Sequence, residues 1–572
     1  MTGKLSYSEI HAALCAPGQF FEIETRDIRG VPTRTWKNAP ATLREVIEQG
    51  ARNAGSRDFI MLSDERISHE SHLELVNRLA AALVDELKVQ KGDRVAIAMR
   101  NLPEWSVAFF AVTMVGAIAV PFNAFWNGEE LAFAVSDCEP KVLIADGERL
   151  ERLSRFQSVL RDVVLVGTRL DDRKETDELP PGIRDFNQLL EGDAKGRAAL
   201  EIEPDDPATI FYTSGMTAKP KGVLGTHRNI CSNLMSLMFA GLRAMEREGT
   251  SPTGGSADPP VLILSVPLFH ATGCHSMLLS QAFFGGTLLF MRRWDAEVAL
   301  DLMERERVTA FSGVPTMVWD IMNSETLDRR DLSSVKSFGG GGAAAPPEVV
   351  RRIHERFPTT GIATGYGLTE TSSVTTSISG TDYVERPSSV GVPVPVCEVR
   401  VINPDGKDMP AGGDGEIWIK GPNVVPGYWR RPEETGEAFI DGWLRSGDIG
   451  RIDRYGFLYI VDRIKDIIIR GGENISTIEV ESALFEHPAV LDAAVFATPH
   501  PTLGEGVGAV VRLKPGVRVT VDDPRDYVAT KLASYKVPAH VWITDQAFPR
   551  SGTGKTLKRE IQATYAPQVA AP

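Results

Sequence analysis

The chain has 572 residues, 42% of them hydrophobic and 24% charged, with a net charge of -14. That is ordinary globular material with enough apolar residues for large cores, and length alone suggests three or four modules. The acidic balance argues against a general nucleic-acid binder or an adhesive for anionic membranes, although local lysines could still hold a small anion.

Met1-Thr-Gly-Lys-Leu-Ser-Tyr7 lacks the apolar stretch of a signal peptide. Between about Ala41 and Asp206, helical patterns alternate with short apolar runs. Leu73–Leu87 reads as an amphipathic helix, and Arg94–Met99 and Val142–Ala145 as strands, which is the rhythm of an α/β fold. The run Val107–Val120 is too short for a membrane span of ~20 residues and is followed by Pro121. It fits a buried helix to about Val115, a turn at Gly116 and a strand to Val120. Ser276–Phe290 repeats that layout around Gly285-Gly286, so two related subdomains with parallel sheets are expected. Arg247–Pro260 reads as a surface loop, and Val261–Val266 as a strand. From Gly391 to Ile419, short β runs broken by Pro-Asp-Gly and Gly-Gly-Asp-Gly suggest a distorted barrel. After Asp462 a compact lobe follows, with a helix at Ile478–Phe485 and strands at Val490–Ala497 and Val507–Leu513. Cys15, Cys138, Cys231, Cys274 and Cys397 are scattered and show no Cys-x-x-Cys spacing. Disulfides and zinc are not expected, and a cytoplasmic setting fits.

The richest stretch is Phe211-Tyr-Thr-Ser-Gly-Met-Thr-Ala-Lys-Pro-Lys-Gly-Val223. A short apolar strand empties into hydroxyls, a glycine and two lysines, a combination suited to polyphosphate oxygens. It is not a Walker A loop, because Pro220-Lys221-Gly222 stands where Gly-Lys-Ser/Thr would be needed. A Ser/Thr/Gly-rich surface turn has the same composition, so the order of residues matters. Downstream, in order, come Gly341-Gly-Ala-Ala344, Gly365-Tyr-Gly-Leu-Thr-Glu370, Trp443-Leu-Arg-Ser-Gly-Asp448, Asp462-Arg-Ile-Lys-Asp466, Gly471-Gly-Glu-Asn-Ile475 and Gly552-Thr-Gly-Lys-Thr556. Over nearly its whole length the chain resembles the adenylate-forming enzymes, the family of acyl-CoA synthetases and luciferases.

The resemblance implies an α/β body over residues 1–461, built of two related subdomains and a β-barrel-like subdomain. A small mobile α+β lid would cover residues 462–572. It implies activation of a carboxylic acid by ATP to an acyl-AMP, with release of pyrophosphate, followed by transfer to a thiol, normally coenzyme A. By resemblance, Thr213, Ser214, Gly215, Met216, Thr217 and Lys221 would hold phosphates. Gly341, Gly342, Ala343, Tyr366, Gly367 and Thr369 would line the adenine, and Asp448 and Arg463 would bind the ribose side. Glu370 would carry Mg²⁺, Lys555 would stabilise charge at the α-phosphate, and Lys465 would be the hinge. Gly471, Gly472 and Glu473 would meet the pantetheine arm after the lid turns. His270, Val314, Gly339 and Gly341 would face the acid. Histidine at 270, where amino-acid-activating relatives carry aspartate, argues against an amino-acid substrate, and the mostly apolar or small segments His270–Ser276, Val314–Val318 and Gly339–Gly341 suit a fatty or aryl acid. The first half-reaction needs no general base, because a carboxylate is already ionised at neutral pH; it needs charge neutralisation.

Met216, Ala218 and Ala344 depart from the family's threonine, glycine and proline. Losing a hydroxyl and adding a Cβ in the phosphate loop would weaken its grip on ATP or slow adenylation. Three other readings compete. An NAD-dependent oxidoreductase is suggested by Gly339-Gly-Gly-Gly-Ala-Ala344, but Pro346-Pro347 follows at once and the expected acidic residue is missing. A same-fold enzyme with a non-CoA acceptor, such as an acyl-AMP ligase or a luciferase-like oxidase, is the second. A nucleotide-binding regulator with inactive chemistry is the third. Partners would be a small carboxylic acid, ATP and coenzyme A, with no nucleic acid and no transmembrane segment; a homodimer is left open.

Overall fold

The computed structural model describes residues 5–173, 178–193, 200–213, 220–250, 259–342, 345–551 and 554–569. Two large sheets, a five-stranded sheet and a two-stranded ribbon organise them. In the first large sheet, strands Arg94–Ala98, Ile118–Pro121, Val142–Asp146 and Val164–Thr168 run parallel. Pro207–Thr213 extends it and pairs antiparallel with Lys221–Thr226. The second sheet has a parallel centre of Thr287–Phe290, Val261–Leu264, Ala310–Gly313, Ser337–Gly340 and Gly361–Tyr366.

Val107–Val120 divides as its sequence predicts. Helix Pro103–Met114 buries every side chain except that of Glu104, Gly116 turns the chain at φ 71°, and strand Ile118–Pro121 follows. A helix that is apolar all round needs neighbours on every side. This one has them: Phe109 and Phe110 belong to a single core with Val95 and Ile97 of the first sheet and Leu264 and Phe290 of the second.

The β-rich stretch after Gly391 is not separate from this body. Ser389–Pro393 pairs with Thr376–Ser379 on one side and Leu458–Arg463 on the other, so the antiparallel strands continue the second sheet. Strand Asp58–Leu62, early in the chain, also joins that sheet, beside Thr287–Phe290. The helix read as Leu73–Leu87 spans His69–Asp85, with the Ser68 hydroxyl accepting from the Ser71 amide to cap it. The helix His227–Glu248 runs two residues into the segment read as a loop, until Gly249 turns left-handed at φ 67°. Residues 251–258 of that segment lie outside the described residues.

The small lobe packs helix Thr477–Phe485 on a five-stranded sheet led by Val490–His500 and Gly504–Leu513. Val480, Leu484, Val495 and Val511 form its core. The protein therefore has a two-domain α/β architecture, with a large mixed-sheet N-terminal region and a smaller α+β C-terminal domain. Among the described residues, no helix is long and apolar enough to cross a membrane. All five cysteines are free, four of them buried.

Candidate active site

The C-terminal ends of the parallel strands in the second sheet meet the small lobe. In open α/β sheets, ligands bind at such ends. Thr213 closes one strand of the first sheet and Lys221 opens the next, directly opposite in register. The loop between them therefore starts and finishes at one point on the sheet. Ser214, Gly215, Met216 and Thr217, with Ala218, lie outside the described residues, as do Ala343 and Ala344.

Strand Gly361–Tyr366 delivers Tyr366, and a 3₁₀ turn at Thr369–Thr371 presents Glu370. Gly367 is dictated by space: a Cβ there would stand 1.5 Å from the Ser373 carbonyl oxygen. Ser372 and Ser373 adopt φ of 55° and 125°, conformations that non-glycine residues hold only when their surroundings enforce them. Here Asn423 Nδ2 donates to the Thr371 and Val374 carbonyls at 3.1 and 3.0 Å, and Asn233 Oδ1 accepts from the Val374 amide at 2.8 Å. The Glu370 carboxyl accepts from the Tyr428 hydroxyl at 3.1 Å, and burial pushes its pKa upward. The ring of Tyr428 also faces Lys221, whose Nζ is 5.3 Å from its centroid.

Asp448 and Arg463 lie opposite each other on adjacent antiparallel strands, and their side chains pair at 3.2 Å. The Tyr366 hydroxyl donates to the other Asp448 oxygen at 2.7 Å. Asp448 is 4% exposed. Burial raises its pKa, with Arg463 and Tyr366 opposing.

Lys555 arrives from the small lobe on a tight loop. Ser551 donates its amide to the Lys555 carbonyl at 2.8 Å, and its hydroxyl accepts from the Lys555 amide at 3.2 Å. A Cβ built on Gly342 would stand 3.7 Å from Lys555 Cε and 3.7 Å from Val314 Cγ1. Surrounding protein, then Arg463, push the Lys555 pKa down to about 8, against the pull of Asp448. The side chain stays open to solvent and is mostly an ammonium at neutral pH, and arriving phosphate charge would favour that form further. His270 is held down to about 3 by burial and by Lys555, which makes it a neutral imidazole at physiological pH. Its ring lies 4.6 Å from that of Phe269. Gly339 sits between Ser312 and Ala363 in register, and the Gly341 amide donates to the Gly313 carbonyl.

The fold thus gathers His270, Val314, Gly342, Tyr366, Glu370, Asp448, Arg463 and Lys555, with Lys221 joined through Tyr428. Thr369 opens the turn that carries Glu370. Gly471, Gly472 and Glu473 are elsewhere, at an exposed hairpin tip where Gly471 donates to the Leu503 carbonyl. Lys465 is exposed on the segment between the last strand of the large body and the first of the small lobe. Tyr428 was not legible in sequence. It lies 58 residues from Glu370, and the pairing of Gly427–Tyr428 with Lys221–Thr226, together with the Val425 amide donating to the Glu370 carbonyl at 3.0 Å, brings it there.

This geometry agrees with the comparisons. The AMP-binding enzyme family matches residues 47–429, and the AMP-binding enzyme C-terminal domain matches 479–555. A feruloyl-CoA synthase of an Amycolatopsis species is 34% identical over 86% of this chain and 93% of its own length. A long-chain-fatty-acid–CoA ligase of Bacillus subtilis is 30% identical over 91% of this chain and 94% of its own. The crystal structure of ATP-bound MatB from Rhodopseudomonas palustris superposes with a TM-score of 0.79 at 29% identity, covering 92% of this chain and all of that one. These matches span the Gly339–Ala344 run and remove the oxidoreductase reading. The chain belongs to the AMP-binding enzyme family, in its acyl-CoA synthetase branch, and is an ATP-dependent ligase that activates a carboxylic acid through an acyl-adenylate.

Proposed function

We propose that the acid is hydrophobic, fatty or aryl, and that the acyl group passes from AMP to coenzyme A. The adenylation on which this proposal rests is supported by Lys555, an ammonium from one lobe held beside Asp448, His270 and Gly342 of the other. A cation there meets the charge that grows on an α-phosphate under attack by a carboxylate. Asp448, steadied by Tyr366, accepts the ribose hydroxyls, with Arg463 as a further nucleotide contact. Thr213, Lys221 and the intervening loop take the outer phosphates. Tyr366 and Gly341–Ala343 flank the base.

Glu370 fits Mg²⁺. One phenol does not exhaust a carboxylate's acceptor capacity, and magnesium takes one or two carboxylates while keeping waters and phosphate oxygens. Bound there, it would neutralise phosphate charge.

Neutral His270 beside apolar Phe269 supports an uncharged acyl chain, since it offers no anion to an α-amine. The named relatives act on feruloyl and long-chain fatty acyl groups, and both names state CoA as the acceptor. We assign residues 1–461 to the acid- and nucleotide-binding body and 462–572 to a lid turning at Lys465. Turning would withdraw Lys555 and carry Gly471–Glu473 inward. A panel of fatty, aryl and amino acids with ATP, with and without CoA, tests this by reading pyrophosphate and thioester separately. Thioester from a hydrophobic acid is expected. Pyrophosphate without thioester would transfer the reading to a non-CoA acceptor.

A further inference from the structure

Granting Lys555 the adenylation role proposed above, we infer that helix Pro315–Met322 is the dock that holds the small lobe in its adenylating orientation, with Trp319 as the positioning residue. Three side chains of this one short helix, all from the large body, reach the lobe. The Thr316 hydroxyl donates to the Gly554 carbonyl at 3.1 Å, next to Lys555. The Trp319 indole N–H donates to the Leu491 carbonyl at 3.0 Å. Asp320 lies within electrostatic reach of Arg550 and Arg512.

Trp319 is the strongest of the three because it is 7% exposed. A buried indole N–H needs an acceptor, and its acceptor here belongs to the other lobe. The ring is fixed on both sides. The Arg352 guanidinium of the large body lies 4.3 Å from its centroid, and Phe485 of the small lobe meets it edge-on at 6.1 Å. The Leu491 side chain packs into the large body's second core. If the lobe turned away, both the N–H and that leucine would lose their partners together.

The contact lies one ion pair from the chemistry. Asp492, next to Leu491, pairs with Arg550 at 2.5 Å, and Arg550 donates to the Gly554 carbonyl at 3.1 Å. The loop bearing Lys555 is therefore pinned at both ends, by Asp492 from its own lobe and by Thr316 from the dock. The dock also adjoins the acid site. Val314 caps the helix, and its Cγ2 would lie 3.2 Å from a Cβ on Gly554. An acyl chain pressing on Val314 would act on the helix that seats the catalytic loop, which ties acid occupancy to lid docking.

The test compares wild type with W319F, which keeps a ring but loses the N–H, and with W319A. Backbone hydrogen exchange needs no substrate. Peptides covering 315–322 and 550–556 should exchange about three- to tenfold faster in W319F, the scale of one lost hydrogen bond, while Gly504–Leu513 keeps its wild-type protection. Pyrophosphate release from ATP and acid should fall about as much. Thioester formation from pre-made acyl-adenylate should be unchanged or faster, and W319A should widen the gap. Equal slowing of both half-reactions, or unchanged exchange over 550–556, would overturn the assignment. Wild-type protein that activates no acid would sink the functional proposal instead, and the exchange comparison would still decide whether Trp319 docks the lobe.

Discussion

Replacing Tyr366 by phenylalanine deletes one oxygen and so isolates the bond to Asp448. That bond is 2.7 Å long, is made to a buried carboxylate, and opposes the burial that raises the Asp448 pKa. A hydrogen bond to a charged group contributes about 1.5–3 kcal/mol net, and with Asp448 only 4% exposed, water replaces little of it. The remaining partner, Arg463, is half exposed and steadies the carboxylate less well. If Asp448 binds ribose, the loss should appear in nucleotide binding: the KM for ATP should rise about tenfold or more, with the KM for the acid unchanged. The sign of the pH effect follows from the same bond. Removing a partner that lowers the Asp448 pKa lets it rise further, so the acid limb of activity should move to higher pH. Steady-state pyrophosphate release, with ATP varied at saturating acid across pH 5–8, measures both. An ATP KM within twofold of wild type and an unmoved acid limb would refute the assignment of Tyr366 as the support of a ribose-binding carboxylate.

Lys555→Ala should abolish pyrophosphate release yet leave thioester formation from pre-made acyl-adenylate largely intact; equal loss of both would contradict separate lid orientations. With the Lys555 pKa near 8 in the free protein, kcat/KM for adenylation should decline as pH rises through about 8. The limb in kcat should lie higher, because bound phosphates favour the ammonium; a free-enzyme limb near 10 would refute the burial argument. Tyr428→Phe removes the hydroxyl that orients the Glu370 carboxyl and opposes the burial raising its pKa, and should raise the Mg²⁺ concentration for half-maximal rate several-fold, measured by magnesium titration at fixed ATP; an unchanged midpoint would remove Tyr428 from the metal's support.

Local chemistry carried much of this protein in plain view. The apolar run of Val107–Val120 could only be a wholly buried helix and strand, and Gly116 had to turn between them. The strand at Val142–Ala145 announces itself by four consecutive apolar residues, because burial on both faces of a parallel sheet favours them. The glycine, hydroxyls and lysines of 211–223 pointed to a polyphosphate for a similar reason, since close approach to phosphate restricts which residues fit; adenylation followed from the resemblance of the ordered motifs to a known family.

What sequence could not supply was adjacency between distant segments. Nothing local to Asp58–Leu62 says that it leaves its own subdomain to pair with Thr287–Phe290, since an apolar strand satisfies either sheet. Asp448 faces Arg463 through a strand register that is a property of the pair. Tyr428 reaches Glu370, Trp319 reaches Leu491, and Lys555 settles beside Gly342 for the same reason. Sequence therefore determined which groups the protein brings to its chemistry. Tertiary packing decided which of them touch, because hydrogen bonds and ion pairs act over a few ångströms in space and are indifferent to separation along the chain.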